Sequence, residues 1–181
     1  MASQFVGEVH VRWVGNSGPD RDMQLTDPFG YVDPEGKTWS VPAGTVVNGA
    51  SIPQFFWTSF GPPFVGDYRR ASVVHDHYCV TKTETAKATH RMFHDACRTG
   101  GVGALKAKLM YNAVRTFGPN WSGPSMEELP GAVPMAVPQM RSVDEGAFHE
   151  LERWIEESNP SLDEIDERID HLGPLLEIPT G

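Results

Sequence analysis

The chain has 181 residues, of which 39% are hydrophobic and five are tryptophan, enough for one domain with an appendage or for two small domains. It has no run of 18 apolar residues, and its first 13 residues lack a basic region followed by an apolar core, so we expect neither a transmembrane helix nor a signal peptide. The net charge of −9 is concentrated in residues 142–181, which hold twelve acidic and two basic side chains, and no basic stripe favours nucleic-acid binding.

The N-terminal quarter of the chain predicts β-structure. Residues 5–13 alternate between apolar and polar side chains, which indicates a half-buried strand. A second strand is predicted over 23–32, interrupted at Asp27-Pro28, and a third over 37–41, extended by residues 44–47. The sequence Asp-Pro-Glu-Gly at 33–36 is typical of a turn between them. We therefore expect a small antiparallel sheet over residues 5–47.

The segment that follows offers two kinds of candidate site. Ser51 either caps a short helix that begins at Pro53 or serves as a nucleophile, and the cap is the preferred interpretation. Four aromatic residues between 55 and 60 are expected in the core rather than in a membrane-binding patch. The loop 61–67 is rich in glycine and proline, and its carbonyl groups, including those near Gly61 and Gly66, could face a cation.

Residues 67–97 predict an antiparallel helix hairpin. Spacings of three and four residues place Ala71, His75, Tyr78 and Cys79 on one stripe of the first helix. The sequence Thr-Lys-Thr-Glu at 81–84 matches a capping box and predicts the start of the second helix. On that helix the predicted buried face and the predicted opposite face each hold four residues: Ala86, His90, Phe93 and Cys97 on the first, Lys87, Arg91, His94 and Arg98 on the second.

A hairpin turn at residues 82–83 brings position 75 opposite position 90. We therefore predict that the imidazoles of His75 and His90 approach within hydrogen-bond or one-water distance. In the same register Cys79 and Cys97 lie about 16 Å apart along the helix axis, beyond disulfide reach. Both thiols are expected to be reduced, which suits the cytoplasm.

The remaining sequence predicts a third helix, a linker and a helical tail. Ala104–Phe117 carries an apolar stripe of Leu105, Leu109, Ala113 and Phe117. Four prolines between 122 and 140 indicate a linker, so we divide the chain into a main domain (1–121), a linker (122–141) and an acidic tail (142–181). Capping boxes at 142–145 and 161–164 predict two tail helices that dock as a unit outside the main core. Their narrow apolar stripes require a partner surface, which is the main domain, a second copy or another protein.

Four blocks of the sequence resemble one family. NGASIP, FGPPFVGDYRRASVVHDHY, ATHRMFHDA and LKAKLMYNAVRTFG occur in this order within residues 40–120. They resemble a phage and bacterial domain family of unknown function whose usual pattern is DGASIPR, YRRAAVVHDYLY, EADRIF and ARLMYLAVRLFG. The resemblance implies a phage- or prophage-type protein, located in the host cytoplasm or the virion, but no mechanism.

A more remote resemblance is to phospholipase A2 domains, which carry His-Asp-x-x-Tyr on a helix that faces a second, antiparallel helix. It implies that His75 is the general base, with Tyr78 or Cys79 in the displaced tyrosine position and His90 where the orienting aspartate would lie. It also implies that Asp76, together with Gly61, Gly66 and Asp67, holds calcium and polarises an ester.

Four functions remain open from the sequence. The first is a phospholipase A2-like, calcium-dependent ester hydrolase, and the second is a non-enzymatic phage structural or accessory protein that docks a protein partner, or itself, through 142–172. The third is another metal-dependent hydrolase that uses His75, Asp76, His77 and His90, whereas His94 is expected to face solvent. The fourth is an interaction module that needs nothing from His75.

Overall fold

A computed structural model describes residues 2–14, 22–48, 66–123 and 145–176 of the chain. Strands occupy the N-terminal part and helices the remainder, which confirms the predicted α+β class. No helix in the described ranges combines the length and the hydropathy that crossing a bilayer requires.

The strands form two three-stranded antiparallel sheets rather than one. The first has the order β1-β4-β5 and the second the order β2-β3-β6. The strands are β1 (Gln4–Val6), β2 (Val11–Trp13), β3 (Met23–Leu25), β4 (Phe29–Val32), β5 (Thr38–Val41) and β6 (Val46–Val47).

The predicted continuous strand over residues 5–13 is wrong because the chain turns at Gly7. Gly7 has a φ of +82°, which favours glycine, and a Cβ there would lie 3.0 Å from the carbonyl oxygen of Pro28. The chain therefore leaves the first sheet after β1 and enters the second at β2. As a result Val11 and Trp13, predicted to be on a buried face, are 40% and 70% exposed. The predicted break at Asp27-Pro28 is confirmed, since it separates β3 from β4.

Three helices follow, as predicted for residues 69–117. They are α1 (Arg69–Thr81), which a 3-10 turn at Gly66–Tyr68 precedes, α2 (Ala86–Thr99) and α3 (Ala104–Phe117). The short connection at 82–85 makes α1 and α2 a hairpin. The buried residues of both sheets and all three helices form one hydrophobic core.

The predicted capping box at 81–84 is wrong in detail. Helix α1 includes Thr81 and ends at Lys82, whose φ of +52° places it in the left-handed conformation typical of helix ends. The cap of α2 is Thr85, whose side chain accepts a hydrogen bond from the backbone N–H of Ala88 at 3.1 Å. The turn therefore lies where it was predicted, but a different threonine begins the second helix.

Most predicted faces of these helices are confirmed. Ala86, His90, Phe93 and Cys97 are buried, and both cysteines are free thiols. Two side chains differ from the prediction. Leu105 is 41% exposed, because it lies at the first turn of α3, and His94 has a side chain only 12% exposed, hydrogen-bonded to Asp95.

The tail forms two helices, α4 (Glu145–Ser158) and α5 (Leu162–Leu176). The capping box at 161–164 is confirmed, since Ser161 and Glu164 exchange hydrogen bonds. The first three residues of the capping box at 142–145 lie outside the described residues, and so does most of the predicted linker. The apolar residues of α4 and α5 pack against α3 in a second cluster: Leu109, Tyr111, Leu151, Ile155, Ile165 and Ile169.

The prediction that the tail helices avoid the main core is wrong. The ring of Phe148 in α4 lies 4.8 Å from that of Phe117 in α3, and Phe148 belongs to the main core. Packing on α3 satisfies the requirement of the narrow stripes for a partner surface. The surface is the main domain itself, one of the three that the sequence left open.

Candidate functional site

Three buried side chains converge between α1 and α2. Nε2 of His75 lies 2.9 Å from Nδ1 of His90, which confirms the predicted approach of the two rings. Sγ of Cys79 lies 3.6 Å from Nε2 and 3.8 Å from Nδ1 of His75. All three side chains are essentially inaccessible to solvent. We call His75, Cys79 and His90 the hairpin centre.

The hydrogen bonds of the centre define the tautomers of its neutral rings. Nε2 of His90 lies 3.1 Å from the carbonyl oxygen of Pro119, which can only accept, so Nε2 carries a hydrogen. Nδ1 of neutral His90 is then an acceptor, and Nε2 of His75 donates to it. The other nitrogen of the His75 ring, Nδ1, then carries no hydrogen, and Sγ of Cys79 lies 3.8 Å from it.

Burial keeps both imidazoles uncharged at neutral pH. Desolvation lowers the pKa of His75 well below its ordinary value, and the neighbouring His90 lowers it further. Desolvation also lowers the pKa of His90 to about 3, although its hydrogen bond to Pro119 opposes the shift. Neutral imidazoles can accept a proton or a metal ion, so the centre is chemically competent for either.

Aromatic rings surround the centre. The ring of Phe93 lies 4.6 Å from that of His75, and the ring of Trp121 lies 6.0 Å from that of His90. The indole N–H of Trp121 donates to the carbonyl oxygen of Glu84 at 2.6 Å, which holds this ring against the turn between the helices. The apolar surroundings strengthen electrostatic interactions within the centre.

The other predicted catalytic residue, Tyr78, faces the sheet. Its hydroxyl accepts a hydrogen bond from the backbone N–H of Ser40 at 3.1 Å, and its ring packs edge-on against Trp39 at 4.9 Å. These contacts attach α1 to β5. The structure therefore gives Tyr78 a packing role and does not bring its hydroxyl to the hairpin centre.

The predicted calcium ligands that the structure describes lie in two places, one within α1 and the others in the turn before it. The carboxylate of Asp76 is buried and accepts a hydrogen bond from the backbone N–H of Asn48 at 3.2 Å. Gly66 and Asp67 lie before the start of α1, in a surface groove with Arg69 and Arg70. Nine residues separate Asp67 from Asp76, about 13 Å along a helix, whereas ligands of one calcium ion lie within about 5 Å of each other. We do not assign both carboxylates to one ion.

Among the remaining candidate residues, Gly61 and Ser51 lie outside the described part of the chain, and His77 lies on α1. Burial lowers the pKa of His77 to about 4, but its ring packs edge-on against Tyr78 at 5.2 Å. No cluster of metal-ligand type within the described part of the chain includes Asp76 or His77.

Sequence reasoning placed Cys79 on the stripe of His75 and gave it a role only as an alternative to Tyr78 in the displaced tyrosine position. The available signal was the spacing of four residues, which stacks the thiol over the imidazole on one helix face. The carbonyl of Pro119 had no signal of its own, because any residue provides a carbonyl.

Comparison with known proteins places this geometry in a family. The model of a protein family of unknown function (DUF1353) matches residues 23–114, just over half of the chain. The chain belongs to the DUF1353 family. The matched segment begins at β3 and ends within α3, so it contains all three residues of the hairpin centre but not the tail helices.

Two curated relatives carry no assigned function. The chain is 52% identical over 124 residues to the uncharacterized protein y4jT of Sinorhizobium fredii. This alignment covers 67% of this chain and 37% of the relative. It is 44% identical over 97 residues to the uncharacterized protein y4iH of the same organism. This second alignment covers 54% of this chain and 41% of the relative. The match thus spans about two fifths of each relative. No solved structure matches the chain.

Outside the DUF1353 segment, Asp166 of α5 forms a buried ionic cluster with α2 and α3. Its Oδ1 accepts hydrogen bonds from the hydroxyl of Tyr111 at 2.6 Å and from Nε of Arg115 at 2.8 Å. Its Oδ2 accepts from Arg91 at 2.6 Å and lies 3.2 Å from Nζ of Lys87. The face of α2 that was predicted opposite the buried one therefore meets the tail.

Proposed function

We propose that this DUF1353 domain is a hydrolase whose reaction centre is the hairpin centre. The observation that carries the proposal is the 2.9 Å contact between two neutral, buried imidazoles on facing helices. Buried polar groups are costly unless they are hydrogen-bonded, and titratable groups with strongly shifted pKa values concentrate at functional sites. The likeness of this hairpin to the His-Asp helix of phospholipase A2 makes phospholipid esters the first substrate class to test.

The proposed reaction is ester hydrolysis by an activated water molecule. Water adds to the ester carbonyl, the bond between the carbonyl carbon and the alkoxy oxygen breaks, and the proton that water loses ends on the leaving alkoxide. If His75 is the general base, its unprotonated Nδ1 holds this proton in transit. If a metal ion occupies the centre, the ion activates the water instead.

The geometry favours a transition metal over calcium. Asp67 and Asp76, the described carboxylate candidates for calcium, are about 13 Å apart along the helix, whereas nitrogen and sulfur atoms converge at the hairpin centre. The accessory role in a phage particle was motivated by an unpartnered apolar tail, and α3 covers that tail in the structure. No contact among the described residues favours it as a second function.

The test is release of fatty acid from phospholipid vesicles and hydrolysis of a soluble short-chain ester. Substitution His75→Asn should abolish turnover while changing the free energy of unfolding by only about 1–2 kcal/mol. His77→Asn is the matched control, since it changes the same helix outside the centre, and it should retain turnover. Activity that survives His75→Asn, or a wild-type chain inactive on both substrates, would overturn the proposal.

The substitution His90→Asp separates the two ways of activating water. A carboxylate would stabilise a protonated His75, so turnover should rise if His75 is the base. Turnover should fall if His90 is a metal ligand whose replacement weakens binding. Unfolding of both His90→Asp and His75→Asn would instead assign the two rings to the core and refute the hydrolase.

A further inference from the structure

The atoms that converge at the hairpin centre are all of metal-ligand type. One ligand atom from each of His75, Cys79 and His90 lies within 4.8 Å of the other two, and no other such cluster occurs in the described part of the chain. Imidazole nitrogen and thiolate sulfur are the ligands that zinc prefers. Calcium and magnesium prefer oxygen ligands, so this set selects against both.

Two of the three separations at the hairpin centre are close to those around a tetrahedral zinc ion, and the third pair, Cys79 with His90, lies within 4.8 Å. With Zn–N bonds of about 2.0 Å and Zn–S bonds of about 2.3 Å, neighbouring ligand atoms are about 3.3 to 3.6 Å apart. Sγ of Cys79 and Nε2 of His75 are already 3.6 Å apart. Nε2 of His75 and Nδ1 of His90 are 2.9 Å apart, so entry of the ion requires them to separate by only about 0.4 Å.

A second observation fixes one ligand in the orientation that a metal needs. A histidine that binds a metal through one nitrogen typically donates its other N–H to a carbonyl or a carboxylate, which sets the ring orientation. Nε2 of His90 donates to the carbonyl oxygen of Pro119 at 3.1 Å and leaves Nδ1 directed at the centre. The thiol and the second imidazole come from one turn of α1, where a spacing of four residues stacks them.

We propose that His75, Cys79 and His90 bind one zinc ion, with Cys79 as thiolate, His90 through Nδ1 and His75 through Nε2, whose hydrogen moves to Nδ1 when the ion binds. Three protein ligands and one remaining position are the arrangement of catalytic zinc sites. The inference rests on the proposed function for its chemical use, because a bound zinc ion would take over from His75 the activation of the attacking water. Its binding test does not depend on turnover.

The experiment compares the full-length chain with two matched variants. Cys79→Ser removes the thiol at the centre, and Cys97→Ser makes the same change at an equally buried free thiol on α2 that is not in the cluster. Each protein is stripped with a chelator, loaded with zinc and dialysed, and its zinc content is measured by mass spectrometry. A second sample is loaded with cobalt(II), and its absorption spectrum is recorded.

The wild-type chain and Cys97→Ser should each retain about one zinc per chain and show a thiolate-to-cobalt charge-transfer band with the d–d bands of tetrahedral cobalt. Cys79→Ser should lose the charge-transfer band, because the thiolate is gone. Loss of a residue that only hydrogen-bonds to a metal ligand lowers metal affinity by up to about 100-fold, so loss of the ligand itself should lower the zinc affinity by at least about 100-fold. Equal zinc content and spectra in wild type and Cys79→Ser would overturn the site, as would an equal loss in Cys97→Ser. If both variants unfold, His90→Asn with the same measurements decides, and undiminished zinc binding there refutes the site.

The outcomes for binding and for hydrolysis can be told apart. Zinc bound through Cys79 without turnover of any ester would leave the site standing and refute the hydrolase. Turnover that depends on His75 in a chain that binds no zinc would refute the site and leave the hydrolase, with His75 as the base.

Discussion

Asp166→Asn tests whether the buried ionic cluster fixes the tail helices to the core. Burial alone would raise the pKa of Asp166, but hydrogen bonds from Tyr111, Arg115 and Arg91 outweigh it and lower the pKa to about 2, below the ordinary 3.8. Asparagine keeps the shape of the side chain and removes its charge. The guanidinium of Arg115, only 7% exposed, then loses its closest counter-charge and keeps only the exposed Asp170 at 3.0 Å.

Two estimates give the magnitude. A pKa lowered from 3.8 to about 2 corresponds to about 2 kcal/mol of stability at neutral pH. Removing one partner of a buried ion pair costs about 3–5 kcal/mol, although Arg91 and Lys87 can turn to solvent and recover part of it. We therefore expect Asp166→Asn to lower the free energy of unfolding by about 3 kcal/mol, equivalent to about 6–12 °C in the melting midpoint.

The pH dependence provides a second, sharper expectation. The stabilisation by Asp166 is fully present above the unfolded pKa of 3.8 and is lost as the pH falls towards the folded pKa of about 2. The difference in the free energy of unfolding between wild type and Asp166→Asn should therefore decrease by about 1 kcal/mol as the pH is lowered from 7 to 3.

Urea denaturation followed by circular dichroism at both pH values measures this difference, with Asp163→Asn as the control. Asp163 lies on the same helix and pairs with Arg91, but its side chain is 78% exposed, so its substitution should cost less than about 1 kcal/mol. A stability of Asp166→Asn within about 0.5 kcal/mol of wild type, or a gap that does not change with pH, would refute the reasoning.

Two further changes test the packing. Deletion of residues 124–181 should expose Leu109 and Tyr111 of α3 and lower the melting midpoint by more than about 10 °C. If the melting midpoint is unchanged and light scattering shows an altered oligomeric state, the result would instead support the separate tail expected from the sequence. Gly100→Ala places a Cβ 2.2 Å from the carbonyl oxygen of Asp67 and should destabilise the fold by more than about 2 kcal/mol. Gly103→Ala, where a Cβ meets nothing within 4 Å, should cost less than about 1 kcal/mol in the same denaturation assay.

The helix hairpin was predictable because its signals are local. Spacings of three and four residues defined the buried faces, and a short turn fixed the register that places His75 opposite His90. The choice between Thr81 and Thr85 as the cap was not predictable from the capping-box pattern, because Lys82 ends α1 in a left-handed conformation that the pattern does not encode. Helix ends depend on such single-residue geometry, whereas helix faces depend on many residues at once.

The sheet and the tail were less predictable because their partners are distant in sequence. Alternation over residues 5–13 is equally compatible with one strand and with two strands in different sheets, and only the turn at Gly7 decides. The hydrogen-bond partners of Asp166 lie 51 to 75 residues away, so nothing near Asp166 in the sequence indicated that its carboxylate would be buried. The acidic tail was expected to dock outside the main core, yet the carboxylate of Asp166 is buried against α2 and α3.

Helix α2 connects the hairpin centre with the Asp166 cluster, because adjacent residues on it face opposite neighbours. His90 faces α1 and completes the hairpin centre, while Arg91 faces α5 and binds Asp166. Since a helix moves largely as a rigid body, the position of the His90 ring depends on both contacts. The DUF1353 segment supplies all three residues of the hairpin centre, and Asp166, in the tail beyond that segment, binds the opposite face of the same helix α2.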